Sequence, residues 1–131
     1  EDNELNMEIV KFILEDRGLI VEPAVDGIEA VRKFENAPPG YYQVILMDIM
    51  MPKMNGWDAA RKIRAMQRAD ARGIPIIAMS ANAFTEDIIN SRISGMNRHL
   101  TKPLDASKLL DEIAKAISIL PGSAQSVHQE K

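Results

Sequence analysis

The stretch Tyr42-Gln43-Val44-Ile45-Leu46-Met47-Asp48-Ile49-Met50-Met51-Pro52-Lys53-Met54-Asn55-Gly56 decides how this chain is read. Residues 44–47 are apolar without a break and end on a carboxylate, Asp48. Such a run, partly β-branched and bounded by Gly40 before and by Pro52 and Gly56 after, predicts a buried parallel strand. Asp48 then stands at the strand's carboxyl end, the rim where open α/β sheets bind ligands. A lone Asp in that position also serves as an ordinary turn cap, so its role depends on what the other strands bring to the same rim.

Upstream, Leu5, Ile9, Phe12 and Ile13 fall at helical spacing, with a cap at or near Asn3 and a stop at Gly18. Residues 19–25 predict an edge strand, because Pro23 cannot donate to a ladder. Asp26-Gly27-Ile28-Glu29 has the form of a capping box. The helix it opens runs to about Ala37, buries Ile28, Val31 and Phe34, and stops before Pro38-Pro39-Gly40. Downstream, Asn55 or Gly56 starts a helix through Ala60, Ile63 and Met66, which ends in the polar stretch 68–73. Residues 74–79 predict a second buried strand, ending on the hydroxyl of Ser80. Thr85 caps a helix with Ile88, Ile89 and Ile93 inward, closed by Gly95. Residues 98–101 predict a short strand ending at Lys102-Pro103. Asp105 caps a last helix with the apolar stripe Leu109, Leu110, Ile113, Ala116, Ile117 and Leu120. The expected division is one domain over residues 1–120 and a polar tail or linker over 121–131.

The composition narrows the chemistry. The 131 residues suit one domain with one core, and 46% hydrophobic with 27% charged residues is ordinary for a globular protein. A net charge of -3 gives no basic surface for nucleic acid or for a membrane. With no cysteine and only His99 and His128 as histidines, thiolate and multi-histidine metal sites are excluded. Five of the eight methionines, Met47, Met50, Met51, Met54 and Met79, cluster around the proposed rim and are expected to pack there.

Alternating strands and helices imply a doubly wound parallel sheet whose carboxyl ends share one rim. Asp48, Ser80 and Lys102 end different strands and so converge. Glu1 and Asp2 precede the first helix and can join them. Three crowded carboxylates call for a cation, and all-oxygen ligands suit Mg²⁺. A carboxylate nucleophile, a hard cation, a lysine and a hydroxyl are the parts of a phosphoryl-transfer site.

On these residues the chain resembles the receiver domain of two-component response regulators. The resemblance rests on Glu1-Asp2, on Met47-Asp48-Ile49-Met50-Met51-Pro52 with Asn55-Gly56, on Ser80-Ala81 and on Lys102-Pro103, and it covers residues 1–120. It implies an α/β, flavodoxin-like sheet in the order 2-1-3-4-5. It implies that Asp48 takes a phosphoryl group from a phosphohistidine, and that Glu1, Asp2, Asp48 and the Met50 carbonyl surround Mg²⁺. Ser80 and Lys102 then contact the phosphoryl group, and Pro103 follows a cis bond. The partner is a histidine kinase or a histidine phosphotransfer domain, and the setting is cytoplasmic, without nucleic acid or membrane contact by this domain. The segments 77–84 and 95–97 look most like receivers of hybrid sensor histidine kinases. A stand-alone response regulator and a non-phosphorylated pseudo-receiver are the alternatives. A related Mg²⁺-dependent phosphatase would need a second acid two residues after the nucleophile, where this chain has Met50.

The chain departs from the receiver pattern twice. Receivers often carry Tyr or Phe three residues before the lysine as a rotamer switch. Here the residue is His99, which with Ser80 is either the switch or a rim residue without that role. Receivers also have an apolar first strand directly before the acidic pair, and here no such strand stands before Glu1. Without it the sheet has a gap of about 10 Å beside residues 44–48. The expectation is that upstream residues, or a strand exchanged in an oligomer, complete the sheet.

Overall fold

The computed structural model describes residues 4–50, 53–80, 85–102 and 104–118. Among the described residues three strands form: the apolar runs β1 (Ile45–Asp48) and β2 (Ile76–Ser80), and the more polar β3 (Arg98–Thr101). They pair in parallel in the order β1-β2-β3, with Asp48 beside Met79 and Ser80 beside Thr101. All five residues of the central strand β2 are buried. Its alternation feeds two cores. Ile76 and Ala78 join Phe34, Ala59, Ala60 and Ile63 on one face, while Ile77 joins Leu14, Leu100, Leu109, Ile113 and Ile117 on the other.

Six helices cover the two faces: α1 (Glu4–Asp16), α2 (Gly27–Asn36), α3 (Gly56–Arg64), α4 (Ala69–Gly73), α5 (Thr85–Ile93) and α6 (Ala106–Ser118). Three of the expected caps form. Asp26 accepts from Glu29 N–H at 2.8 Å, Asn55 from Asp58 N–H at 2.9 Å, and Asp105 from Ser107 N–H at 2.8 Å. Glu29 closes the box one residue early, on Val25 N–H at 2.9 Å. No described helix is long and apolar enough to cross a membrane.

The parallel sheet with helices on both faces is the doubly wound α/β architecture expected, and its three strands occupy the last three positions of the 2-1-3-4-5 order. The predicted edge strand over residues 19–25 is not a strand. A strand needs a neighbour to exchange hydrogen bonds with. Between this segment and β1 lies an apolar cavity of about 170 Å³, lined by Leu14, Leu19, Val21, Val44, Leu46 and Ile113 among others. Tyr42 Oη donates to Glu22 at 3.1 Å and Lys33 Nζ donates to the Pro23 carbonyl, so side chains tether the segment instead of a ladder. Around the open slot Val44, Ile45 and Leu46 are only half-buried, short of the full burial expected of this run.

Three helices depart in part from the stripe expected, although Ile13 of α1 and Val31 and Phe34 of α2 pack inward as expected. In α1, Ile9 and Phe12 are exposed, Phe12 at 73%, while Leu14 is buried and Val10 and Ile13 pack beside it. In α2, Ile28 faces solvent and Ala30, Val31 and Phe34 face the sheet. In α5, Ile89 and Ile93 are exposed while Ser91 is buried, as is Ser94 in the turn just after the helix. Ser94 Oγ donates back to the Asn90 carbonyl at 2.8 Å, and Ser91 Oγ accepts from Trp57 Nε1 at 3.0 Å, so both hydroxyls are satisfied inside the fold. The polar stretch 68–73 also folds, as α4. Arg68 anchors it by donating to the Phe34, Glu35 and Ala37 carbonyls at the end of α2, forking onto Asp70, and lying 4.8 Å over the Phe34 ring.

Candidate functional site

The strand ends meet at one rim. β1 delivers Asp48, which is 1% exposed, and β2 delivers Ser80, which is 3% exposed. β3 ends at Thr101, and Lys102 follows directly. Lys102 Nζ lies 2.6 Å from Asp48 Oδ2, across 54 positions of sequence. The Lys102 N–H donates to the Ser80 carbonyl at 2.7 Å, which extends the β2–β3 ladder by one rung and fixes where the lysine side chain starts. Asp48 Oδ1 accepts from Met50 N–H at 3.0 Å. A buried carboxylate costs several kcal/mol unless it is paired and hydrogen-bonded. Both oxygens of Asp48 have such partners.

The loop after β1 is held against this carboxylate by Gly56. The Gly56 N–H donates to the Ile49 carbonyl at 2.9 Å. A Cβ at that position would come within 2.3 Å of the Asp48 carbonyl oxygen and 2.9 Å of Ile49 Cα. Only glycine lets α3 start so close to the strand end. Lys53 takes the left-handed conformation, with φ 68°, and its Nζ lies 3.7 Å from Asp26 Oδ2.

Ser80 Oγ is 2.9 Å from His99 Nε2. His99 is half-buried, and burial pushes its imidazole below the usual histidine value, against the opposing pull of Asp87. At the other end of β2 and β3, Arg64 braces the sheet. It donates to the Gly95 carbonyl at 2.7 Å, to Asn97 Oδ1 at 2.8 Å and to the Ala71 carbonyl at 3.0 Å, and Asn97 Oδ1 also accepts from Ile76 N–H. The sequence marks Arg64 only as one charge in a helix, and its bracing role is visible only once the strands are aligned.

Of the residues singled out from sequence, Asp48, Ser80, Lys102, His99 and Met50 are described, and the first four form one connected cluster. Met50 contributes its N–H, with its side chain 66% exposed. Glu1, Asp2 and Pro103 lie outside the described residues.

Asp48, Ser80 and Lys102 thus stand at three adjacent strand ends of one parallel α/β sheet. The family model described as "Response regulator receiver domain" matches residues 1–114, and the chain belongs to that family. The chain is 34% identical over 110 residues to the peroxide stress-activated histidine kinase mak1 of Schizosaccharomyces pombe, covering 83% of this chain and 7% of that protein. It is 36% identical over 115 residues to the hybrid signal transduction histidine kinase I of Dictyostelium discoideum, covering 86% of this chain and 7% of that protein. Among solved structures, the receiver domain of a sensor histidine kinase from Pseudomonas aeruginosa superposes with a TM-score of 0.81 at 37% identity, covering 90% of this chain and 93% of that one. That structure has a magnesium ion coordinated in its active site cleft. The receiver domain of a histidine kinase from Syntrophus aciditrophicus gives a TM-score of 0.78 at 30% identity, covering 90% and 86%. The domain is therefore a phosphorelay receiver, homologous to those of hybrid histidine kinases.

Proposed function

We propose that Asp48 is the phosphoacceptor of this receiver. The observation that supports it most is the Lys102–Asp48 contact of 2.6 Å at a carboxylate 1% exposed, reached from opposite ends of the described sheet. A carboxylate oxygen of Asp48 attacks phosphorus in a phosphohistidine. The O–P bond forms as the P–N bond breaks, and the imidazole keeps the electron pair and takes a proton from solvent. Lys102 carries the charge that neutralises the phosphoryl oxygens, and Ser80 supplies a hydroxyl to one of them.

A divalent metal fits this site. The buried Asp48 carboxylate is a hard oxygen donor, and Glu1, Asp2 and the Met50 carbonyl complete the oxygen set we assign to Mg²⁺. Bound there, the ion would neutralise charge on the phosphoryl group and orient it. Ser80 and His99, 2.9 Å apart, are the candidate switch pair. The receiver unit spans residues 1–120 with a polar tail over 121–131, and its partner is a cytoplasmic histidine kinase or histidine phosphotransfer domain, in a hybrid kinase parent.

The test is incubation with phosphoramidate and Mg²⁺ followed by intact-mass measurement. Wild type should gain the mass of one phosphoryl group, and Asp48→Asn should gain none. Equal labelling of both chains would remove Asp48 from the role.

A further inference from the structure

Lys53, in the loop after β1, is held in the left-handed region with φ 68°, and among the described residues no other non-glycine residue takes it. That conformation crowds Cβ against the backbone and persists only where the surroundings impose it. Here the surroundings are the first turn of α2. Lys53 Nζ lies 3.7 Å from Asp26 Oδ2, and the other oxygen of Asp26 caps the helix by accepting from Glu29 N–H at 2.8 Å. The next loop residue, Met54, presses on Gly27. A Cβ on Gly27 would stand 2.4 Å from the Met54 carbonyl oxygen and 3.0 Å from Met54 Cβ. Gly27 begins a regular helix, so the close approach of the loop is what requires glycine there.

We propose that Asp26 and Gly27 are positioning residues for phosphoryl transfer: the start of α2 is the outer support of the loop that presents Met50 to Asp48. This rests on the reading that Asp48 is the phosphoacceptor and that the Met50 carbonyl belongs to the Mg²⁺ set. The loop is fixed at three points. At its start, Met50 N–H donates to Asp48 Oδ1 at 3.0 Å. At its end, Gly56 N–H donates to the Ile49 carbonyl at 2.9 Å. Between these, Lys53 and Met54 bear on α2. The N–H and the carbonyl of Met50 belong to neighbouring peptide planes, so a shift of the loop moves both. A shift of about 0.6 Å already takes a 3.0 Å bond out of hydrogen-bond range.

The two contacts with α2 carry unequal shares. Asp26 is buried, but the Lys53 side chain is mostly exposed, and an ion pair with one end in water holds weakly. The backbone contact at Gly27 has no such give. Seating a Cβ there means opening the gap to Met54 from 2.4 Å to an ordinary contact of 3.4 Å or more. A misplacement of about 1 Å near reacting groups costs about a hundredfold in rate. Lys102 reaches Asp48 from β3, through a contact that does not pass along this loop. The support from α2 therefore acts on the Met50 side of the site and leaves the lysine side alone.

Variants of the full chain test this. Gly27→Ala should slow labelling by phosphoramidate and Mg²⁺ by about ten- to a hundredfold. In the metal-free protein it should also speed hydrogen exchange at Met50 N–H and leave the Lys102 side-chain resonances in place. Ile117→Val in α6 loses stability without touching the loop and should label at the wild-type rate, which separates positioning from stability. Asp26→Asn keeps an oxygen for Glu29 N–H and removes the charge facing Lys53, while Lys53→Gly keeps the left-handed turn and removes the ammonium. Each should slow labelling by about two- to threefold, and the double variant should be no slower than either single one. Wild-type labelling by a folded Gly27→Ala chain overturns the inference. Should that chain not fold, additive or absent effects in the Asp26 and Lys53 variants overturn it instead. Labelling of Asp48→Asn is the separate result that would remove the phosphoacceptor reading beneath it.

Discussion

Filling the cavity beside β1 should raise stability by a predictable amount. The perturbation is an extension of the chain by a six-residue apolar strand placed directly before Glu1. Such a strand would run parallel to β1, cap its open edge, and give residues 19–25 the neighbour they lack. The slot measures about 170 Å³. Six apolar residues packed beside it, at about 1.5–3 kcal/mol each, gain about 9–18 kcal/mol, against about 9 kcal/mol to order them at about 1.5 kcal/mol each. The net gain at the middle of that range is about 4 kcal/mol. For a domain of this size it corresponds to about 15 °C in melting temperature. Differential scanning calorimetry with light scattering on both chains is the assay. The extended chain should melt higher as a monomer, and the chain without the extension should melt low or associate through its open β1 edge. Equal melting temperatures for two monomeric chains would refute the argument.

Three further outcomes follow from the site and its surroundings. Asp2→Ala should weaken Mg²⁺ binding in a calorimetric titration and suppress phosphorylation by phosphoramidate, because fewer carboxylates then hold a strongly hydrated ion; an unchanged titration would take the acidic pair out of the site. Gly56→Ala must displace either Asp48 or the start of α3, since its Cβ would sit 2.3 Å from the Asp48 carbonyl oxygen; the expected cost is about 1–3 kcal/mol with a matching loss of phosphorylation rate, read by urea unfolding and mass labelling. Tyr42 is pushed up to about 12 by burial and by its bond to Glu22, so its protonated form is favoured in the folded state; the stability this gives is complete below pH 10 and is lost as pH rises toward about 12, a loss that Tyr42→Phe should remove from the urea midpoints.

The sequence was most informative where one residue type does one job. The strand ends were legible because an apolar run that stops on Asp48, on Ser80 or before Lys102 marks both the burial and the rim. Capping was legible at Asp26, Asn55 and Asp105 because a short oxygen side chain before a periodic run has few other uses. Choice of helix face was not legible. α1 offers Leu5, Ile9, Phe12 and Ile13 at one helical spacing and Val10, Ile13 and Leu14 at another, and spacing alone cannot rank two stripes that share a residue. The sheet selects between them, and its gap beside β1 leaves Leu14 lining the cavity while Phe12 stays outside. α5 misled for a different reason. Ser91 is buried within it, made tolerable by Trp57 on α3, and a hydrophobic count cannot see a partner supplied by another helix.

The edge strand over residues 19–25 failed for a reason that bears on the function. Its composition suits a strand, but pairing is a property of two segments, and the neighbouring position is a cavity. The Asp48–Lys102 cluster is independent of this because it is built on the other side of β1. Asp48 is fixed from β2 by the shared ladder, from β3 by Lys102 and from α3 by Gly56, and none of these contacts passes through the open edge. The acidic pair Glu1-Asp2 differs. A strand added directly before Glu1 would be continuous with the pair and would act on it first. Filling the slot should therefore sharpen Mg²⁺ affinity more than it changes the Lys102–Asp48 contact. Mg²⁺ titrations of the chain with and without the added strand, set beside the Lys102 side-chain resonances, separate the two effects. A large change in the lysine signals with an unchanged metal affinity would reverse this assignment of which half of the site depends on the slot.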